Sequence, residues 1–445
     1  MATWNSPQQW SEWVEWLEAG LHGRSRWRLG LVLMGMLLAR GRRTVTTWLR
    51  AAGVGDDFAD YYYFLAAVGR KSKILASELL ICVLRHVPLP ERLLVAVDDT
   101  PTKRYGPKVQ GAGIHHNPTP GPTDQKFVYG HIWVTLSLVV RHPWWGTIGL
   151  PLWALLYVRK KDVPKIPKKH RWQFQTKLAL GVQLVEWLAW IAYGAGKRLW
   201  VVADGAYAKR PFLRPLIGWG AVVVSRLRKD AALCDLPPKL RPGQTRKRGR
   251  PRQYGPNRIS LAKRAAHPRG WQTVTCLLYG QLVAKTYKTF LATYRPVGGV
   301  IRVVIVREEG GWHAFFCTDP DASVTEILEA FADRAAIEQV FHDVKEVWGA
   351  GQQQVRNIWT NVAVYCLNLW MHTLVELWAW HQPKDTICNR DDSPWDDPAR
   401  RPSHADRRKA LRRACLEHEY LTTRHRDRLP KKIRRLVQRL IQLAA

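Results

Sequence analysis

Apolar residues recur along the chain with two different periods, and the changes between them divide it. Up to about residue 90 the spacing is helical, in RWRLGLVLMGMLLARGRRTVTTWLRAAG and again in KSKILASELLICVLRHV. VPLPERL then punctuates a boundary. β-rich runs follow: LLVAVDD (93–99), HIWVTLSLVV (131–140) and GTIGLPLWALLYV (146–158). The pattern next predicts a helix from about Trp172 to Tyr193, a strand at RLWVVAD (198–204), a helix near KRPFLRPLIGWG and a strand in AVVVSRL. Three strands, a helix, a strand, a helix and a strand predict an α/β sheet with helices on its faces.

Residues 230–265 lose this periodicity and become basic and rich in Pro and Gly: PPKLRPGQTRKRGRPRQYGPNRISLAKR. Alternating strands return in WQTVTCLLYG, LVAKTYKTFLATYRP, VIRVVIVREEG and GWHAFFCTDP, a β-rich insertion near the lower range of domain sizes. Two helices come next, DRAAIEQVFHDVKEVW (333–348) and NVAVYCLNLWMHTLVELWAW. Beyond Pro383 the chain is polar and basic, ending in the amphipathic KKIRRLVQRLIQLAA. The expected division is a helical part (1–90), a first α/β part (91–229), a β-rich insertion with a basic loop (230–321), closing helices (322–382) and a basic helical tail (383–445). No internal repeat is evident.

Composition narrows the partner. Lys and Arg number 69 against 36 Asp and Glu, a formal charge of +33 over 445 residues. Self-repulsion on that scale calls for a polyanion, with nucleic acid first and an anionic membrane second. The start carries Glu12, Glu15 and Glu18, which does not suit a signal peptide. The longest apolar helices are interrupted by Gln183, Glu186, Asn368, His372 and Glu376, so they read as buried helices rather than spans. A soluble chain with no membrane partner is expected. Seven cysteines lie far apart with no CxxC pair, which fits a reduced cytoplasm and indicates neither zinc site nor disulfide framework. Most of the 23 tryptophans are expected in the core, with a few free to stack on bases.

The helix at 333–348 carries two stripes. Ile337, Val340, Phe341, Val344 and Trp348 make a core-facing one. Phe331, Arg334, Glu338, His342 and Lys345 fall beside it, within roughly 80° of arc. A solvated flank of paired charges is the plain explanation, but Arg334 precedes Glu338 by four residues, the less favourable order for pairing. Elsewhere, Asp98 and Asp204 each end a hydrophobic strand. Either alone could be a cap. With Glu338 they form a set suited to two hard divalent cations, which need several oxygen ligands on rigid elements.

Phe331, Arg334, Glu338 and Lys345 together resemble the Tyr-x2-Arg-x3-Glu-x6-Lys signature of a group of bacterial insertion-sequence transposases of the DDE class. Phe331 stands where the signature has Tyr. VVADGAY resembles that group's second-Asp motif, with Tyr207 three residues after Asp204, and VAVDDT resembles the first. The resemblance covers about residues 90 to 380. It implies an RNase H-like mixed sheet flanked by helices, interrupted by the β-rich insertion. It also implies two Mg²⁺ ions, with Mn²⁺ as a substitute, held by Asp98, Asp204 and Glu338; Asp99 competes for the first place. Arg334 and Lys345 would touch phosphates of the transposon end, while His342 has no counterpart and reads as a helix-surface residue.

RGRPR, with Arg248, Arg250 and Arg252, is similar to the core of an AT-hook, and equally to a loop making unspecific phosphate contacts. In relatives a Trp of the insertion takes up a flipped base; Trp312 and Trp271 are the candidates, against a buried strand role for either. His115 and His116 are expected in an exposed loop, with a metal role as the alternative. The resemblance thus implies a cytoplasmic, nucleoid-associated bacterial transposase acting on double-stranded DNA, the terminal inverted repeats and the target, as a homodimer. An inactive transposase-derived DNA-binding protein and a structure-selective nuclease on the same fold are the alternatives.

Overall fold

The computed structural model describes residues 4–117, 125–238, 249, 252–388, 395–397, 399–421 and 430–444. Five helices come first: α1 (Gln8–Ala19), α2 (Arg28–Leu38), α3 (Val45–Ala51), α4 (Phe58–Arg70) and α5 (Ser72–His86). Two glycines set how closely they pack. A Cβ on Gly35 of α2 would lie 2.1 Å from the Trp48 carbonyl of α3, and one on Gly69 of α4 would lie 1.9 Å from the Trp359 carbonyl. Neither site has room for a side chain.

The strands β1 (Arg92–Lys103), β2 (Gly113–His116), β3 (Phe127–His142) and β4 (Gly146–Tyr157) follow, then α6 (Lys177–Gly194), β5 (Arg198–Ala203), α7 (Arg210–Gly218) and β6 (Val222–Leu227). Their order β4-β3-β1-β5-β6, antiparallel through β1 and parallel from β1 to β6, is consistent with the RNase H-like sheet that the resemblance implies. The segments expected as strands and helices here all take those forms.

The insertion contributes β7 (Leu233–Cys234), β8 (Arg258–Ile259), α8 (Leu261–Ala266), β9 (Gln272–Leu278), β10 (Gln281–Tyr294), β11 (Gly299–Glu308) and β12 (Gly311–Cys317). These strands continue the core sheet instead of forming one of their own. β12 pairs with β6, and the ladder runs on through β11 and β10.

After the insertion come α9 (Val324–Asp333), α10 (Ala335–Glu346), α11 (Ile358–Trp380), α12 (Lys384–Ile387), α13 (His404–Leu421) and α14 (Lys431–Ala444). A capping box between Ser323 and Glu326 starts α9. Arg334 separates α9 from α10, so the helix expected over 333–348 is shorter at both ends. α11 is long and apolar enough to cross a membrane, yet the apolar stretch is wholly buried in the protein. It lies along the outer side of β4: Trp370 Nε1 donates to the Leu152 carbonyl at 2.8 Å and the Thr373 hydroxyl to the Pro151 carbonyl at 2.7 Å. Those carbonyls sit at the register shift between β3 and β4, where ladder bonding breaks, and the helix satisfies them.

Candidate active site

Strand parity decides which carboxylates can meet. On β1, Leu93, Val95 and Val97 enter the large core that includes α6, whereas Ala96 packs with Ile337 and Phe341 of α10. On β5, Leu199, Val201 and Ala203 join the first set and Val202 the second. Side chains alternate along a strand, so Asp98 and Asp204 fall on the α10 side and Asp99 on the α6 side. β1 and β5 are parallel with Val97 opposite Ala203, which places Asp98 and Asp204 one residue further, side by side where that pairing stops. Asp204 follows the end of β5, but β1 runs on to Lys103 because it still pairs with β3, so Asp98 lies within a strand and does not end one as expected.

Hydrogen bonds follow the same division. Asp99 accepts from Lys177 Nζ at 2.6 Å and from the Tyr207 hydroxyl at 3.1 Å. Burial, then Asp99 and the nearby Asp98 and Asp204, push the Tyr207 phenol well above its usual range, so it serves as a proton donor. Asp98 Oδ2 accepts from Arg334 Nη1 at 2.9 Å, and Arg334 Nη2 donates to Glu338 Oε1 at 2.6 Å. One guanidinium therefore ties Asp98 to Glu338, and its width with those two bonds keeps the carboxylate oxygens within about 8 Å. The i, i+4 order expected to be poor for pairing is overcome because Arg334 lies at the N-cap and has Asp98 as a second anchor. Glu338 occupies the first turn of α10, where the helix dipole favours a negative charge.

All three carboxylates line one cleft of about 1070 Å³, together with Arg334, Lys345, Arg42 and Asp99. Burial pushes the Asp98 carboxyl up to about 6; Arg334 and the Asp99 N–H draw it down, while Asp99 and Asp204 raise it further. Below about pH 6 a proton therefore competes with any cation for this oxygen. A buried carboxyl with acidic neighbours is a fitting place for divalent cations, whose charge offsets both the burial and the repulsion. The donor set is all carboxylate, as Mg²⁺ and Mn²⁺ prefer.

A second cluster close enough to hold a metal ion is Asp343, His372 and His404, all buried, with ligand atoms within 4.8 Å of one another. Here the bonding argues for a structural role. His404 Nδ1 contacts Glu376 Oε1 at 2.6 Å, and Trp348 Nε1 donates to His404 Nε2 at 2.8 Å. Burial, then the neighbouring His372, hold the His404 imidazole down at about 4, so it is neutral, donating from Nδ1 and accepting at Nε2. Neither nitrogen has a lone pair to spare. Arg407 adds two bonds to the same Glu376 oxygen, at 2.9 and 2.8 Å, and His372 stacks on His404 at 3.9 Å. The network straps α10, α11 and α13 together behind Glu338.

The remaining expected residues are dispersed. His342 is exposed, as expected, and Phe331 lies on α9 with the Arg334 guanidinium 5.5 Å from its ring centre. Trp312 is in β12 with Lys229 Nζ 5.3 Å from its ring, and Trp271 has Lys288 at 4.6 Å and Arg307 at 4.3 Å, so cations cover both rings. Arg252 is exposed, while Arg248 and Arg250 lie outside the described residues. The expected exposed loop at His115 and His116 is instead β2. His115 is buried there, and burial, then Arg159, holds it down at about 4; the alternating pairing with β3 overrides a polar local sequence. Sequence reasoning misses Lys177 altogether. It is the first residue of α6, after the Thr176 cap, and no motif marks it.

Against this geometry, comparison with known proteins is informative in one direction. No curated protein matches the chain. Residues 17–290 match the family model of the DDE superfamily endonucleases, a span that includes Asp98 and Asp204 and ends before Glu338. That family implies a nuclease or transposase acting on DNA, and its enzymes use divalent metals. The match covers more than half of the chain, which therefore belongs to the DDE superfamily endonucleases.

Proposed function

We propose that the protein is the transposase of a bacterial insertion sequence, cutting the ends of its element and joining them to target DNA. The observation that carries this is the meeting of Asp98, Asp204 and Glu338 in a cleft that also holds Arg334 and Lys345 at the signature spacing. In this reading Asp98, Asp204 and Glu338 hold two Mg²⁺ ions, or Mn²⁺ in their place, which lower the barrier to in-line displacement at phosphorus.

The chain's own residues then have separate tasks. Lys177 and Tyr207 engage the two Asp99 oxygens, one each, which favours Asp98 as the first of the three ligands. Arg334 fixes the relative placement of Asp98 and Glu338, and it and Lys345 steer phosphate into the cleft. The Trp348–His404–Glu376 strap holds α10, and with it Glu338, at a fixed height over the sheet. A homodimer on paired transposon ends, located with the nucleoid in the cytoplasm, completes the proposal. So does the five-part division, with the first 90 residues reading DNA and Arg248, Arg250, Arg252 and Trp312 contacting it.

Joining separates transposition from simple nuclease action. A duplex ending in the element's terminal repeat with a free 3′-OH, incubated with supercoiled plasmid and Mg²⁺, should yield plasmid covalently attached to the labelled end. Cutting of end DNA with no joined product under any divalent metal would leave a structure-selective nuclease and reject the transposase assignment.

A further inference from the structure

The turn at residues 39–44, between α2 and α3, faces two ways. Gly41 and Arg42 line the catalytic cleft, and the Arg43 N–H donates to Gln352 Oε1 at 2.8 Å on the cleft's rim. On its other side Arg43 and Arg408 of α13 reach the same Ala39 carbonyl, and Arg412, one turn further along α13, lies within the field of Arg40 and Arg43. None of these four arginines forms an ion pair with a carboxylate among the described residues. Their hydrogen bonds are to backbone oxygens: Arg408 Nη2 to the Leu37 and Ala39 carbonyls at 3.1 and 3.3 Å, Arg43 Nη1 to the Ala39 carbonyl, and Arg40 Nη2 to the Leu443 carbonyl at 2.7 Å. The Arg408 guanidinium also lies 5.1 Å from the centre of the Trp348 ring.

Capping α2 explains one of these cations, since its last carbonyls carry only a fractional negative charge. It does not explain four. Arg412 is 8% exposed and makes no hydrogen bond among the described residues, and its Nε is buried without a partner, as is Nε of Arg408 and of Arg43. The mutual repulsion is visible in the side chains themselves. Burial, then Arg43 and Arg412, lower Arg408 to about 9, and burial, then Arg40 and Arg43, lower Arg412 to about 10. Guanidiniums drawn out of water against one another raise the energy of the protein alone, and a row of phosphates relieves it.

We infer that Arg40, Arg43, Arg408 and Arg412 form a phosphate-binding track that receives the backbone of the DNA duplex as it leaves the catalytic cleft past Arg42. This rests on the DNA-cutting reading and adds to it a second contact zone, built by the first 90 residues and the basic tail together. α13, far along the chain, docks beside the α2–α3 turn through the Arg408 bonds to the Leu37 and Ala39 carbonyls, against the repulsion of the like charges.

The test uses the full-length protein and a fluorescent mixed-sequence 30-base-pair duplex, with affinity followed against salt concentration in Ca²⁺. For Arg408→Gln/Arg412→Gln the slope of log affinity against log salt should fall by roughly 1–2, at about 0.9 for each phosphate no longer neutralised. Arg198→Gln, whose exposed side chain pairs with Glu91, serves as the control and should leave the slope unchanged. The Arg412→Gln single variant should melt no lower than wild type in the absence of DNA, because it removes repulsion and breaks no hydrogen bond. Coinciding slopes for the double variant and wild type, with both folded, overturn the track while the DNA-cutting reading stands. If inorganic phosphate alone then raises the wild-type melting temperature and not the variant's, the cluster takes a free anion instead. A wild type with no salt-dependent duplex binding overturns both readings.

Discussion

Asp204→Ala should bind duplex DNA as tightly as wild type and lose metal-dependent nicking by at least about a thousandfold, the scale on which a site built to hold two ions fails when a ligand is removed. Asp204 follows the last residue of β5, outside the ladders with β1 and β6, so truncation leaves that strand pairing intact. It also removes one of the two neighbouring carboxylates that raise Asp98. The folded state is therefore expected to be preserved while the chemistry is lost. Gel mobility on end DNA and a supercoil-nicking assay read the two properties separately. Loss of binding together with nicking would place Asp204 in the structure rather than in the chemistry.

The largest stability effect is expected at Glu376→Leu. Glu376 is fully buried; burial raises its carboxyl, but Arg407 and His404 outweigh that and hold it down at about 2. Removing it leaves the Arg407 charge unpaired, and Arg407 Nε and Nη2 and the His404 Nδ1–H buried without an acceptor. Only Arg407 Nη1 stays bonded, to the Pro402 carbonyl, and the loss is on the order of 3–5 kcal/mol. Glu376→Leu/Arg407→Met should recover most of that, since replacing both members of a buried pair by apolar groups is far milder than breaking it. Urea denaturation of the two variants checks this. A single variant as stable as wild type would show that the strap does not hold α13 against α11.

Much of this architecture is readable without coordinates because it depends on periodicity. Asp98 and Asp204 each follow an apolar run of β1 and β5, and alternation alone puts them on one face, although β1 runs on past Asp98 to Lys103. Ile337, Val340, Phe341, Val344 and Trp348 are all buried, as their helical spacing predicts. What escapes is whatever depends on partners distant in sequence. α13 hides because its inner face includes the buried Arg407 and Arg412 beside Ala410, Leu411 and Cys415, so no clean apolar stripe marks it. β2 is four residues long, and only its pairing with β3 makes it a strand. The pairing of Arg334 with Asp98 spans 236 positions and has no sequence signal beyond the signature itself. The joining of the insertion to β6 is equally silent, since alternating strands fit a separate sheet as well as an extended one.

The claim on which the rest depends is that the divalent ions sit between β1, β5 and α10. Crystals soaked in Mn²⁺ and measured at the manganese absorption edge locate them directly. Two anomalous peaks among the carboxylates of Asp98, Asp204 and Glu338 are the predicted result. Manganese bound instead at Asp343, His372 and His404, with none in the cleft, would contradict it.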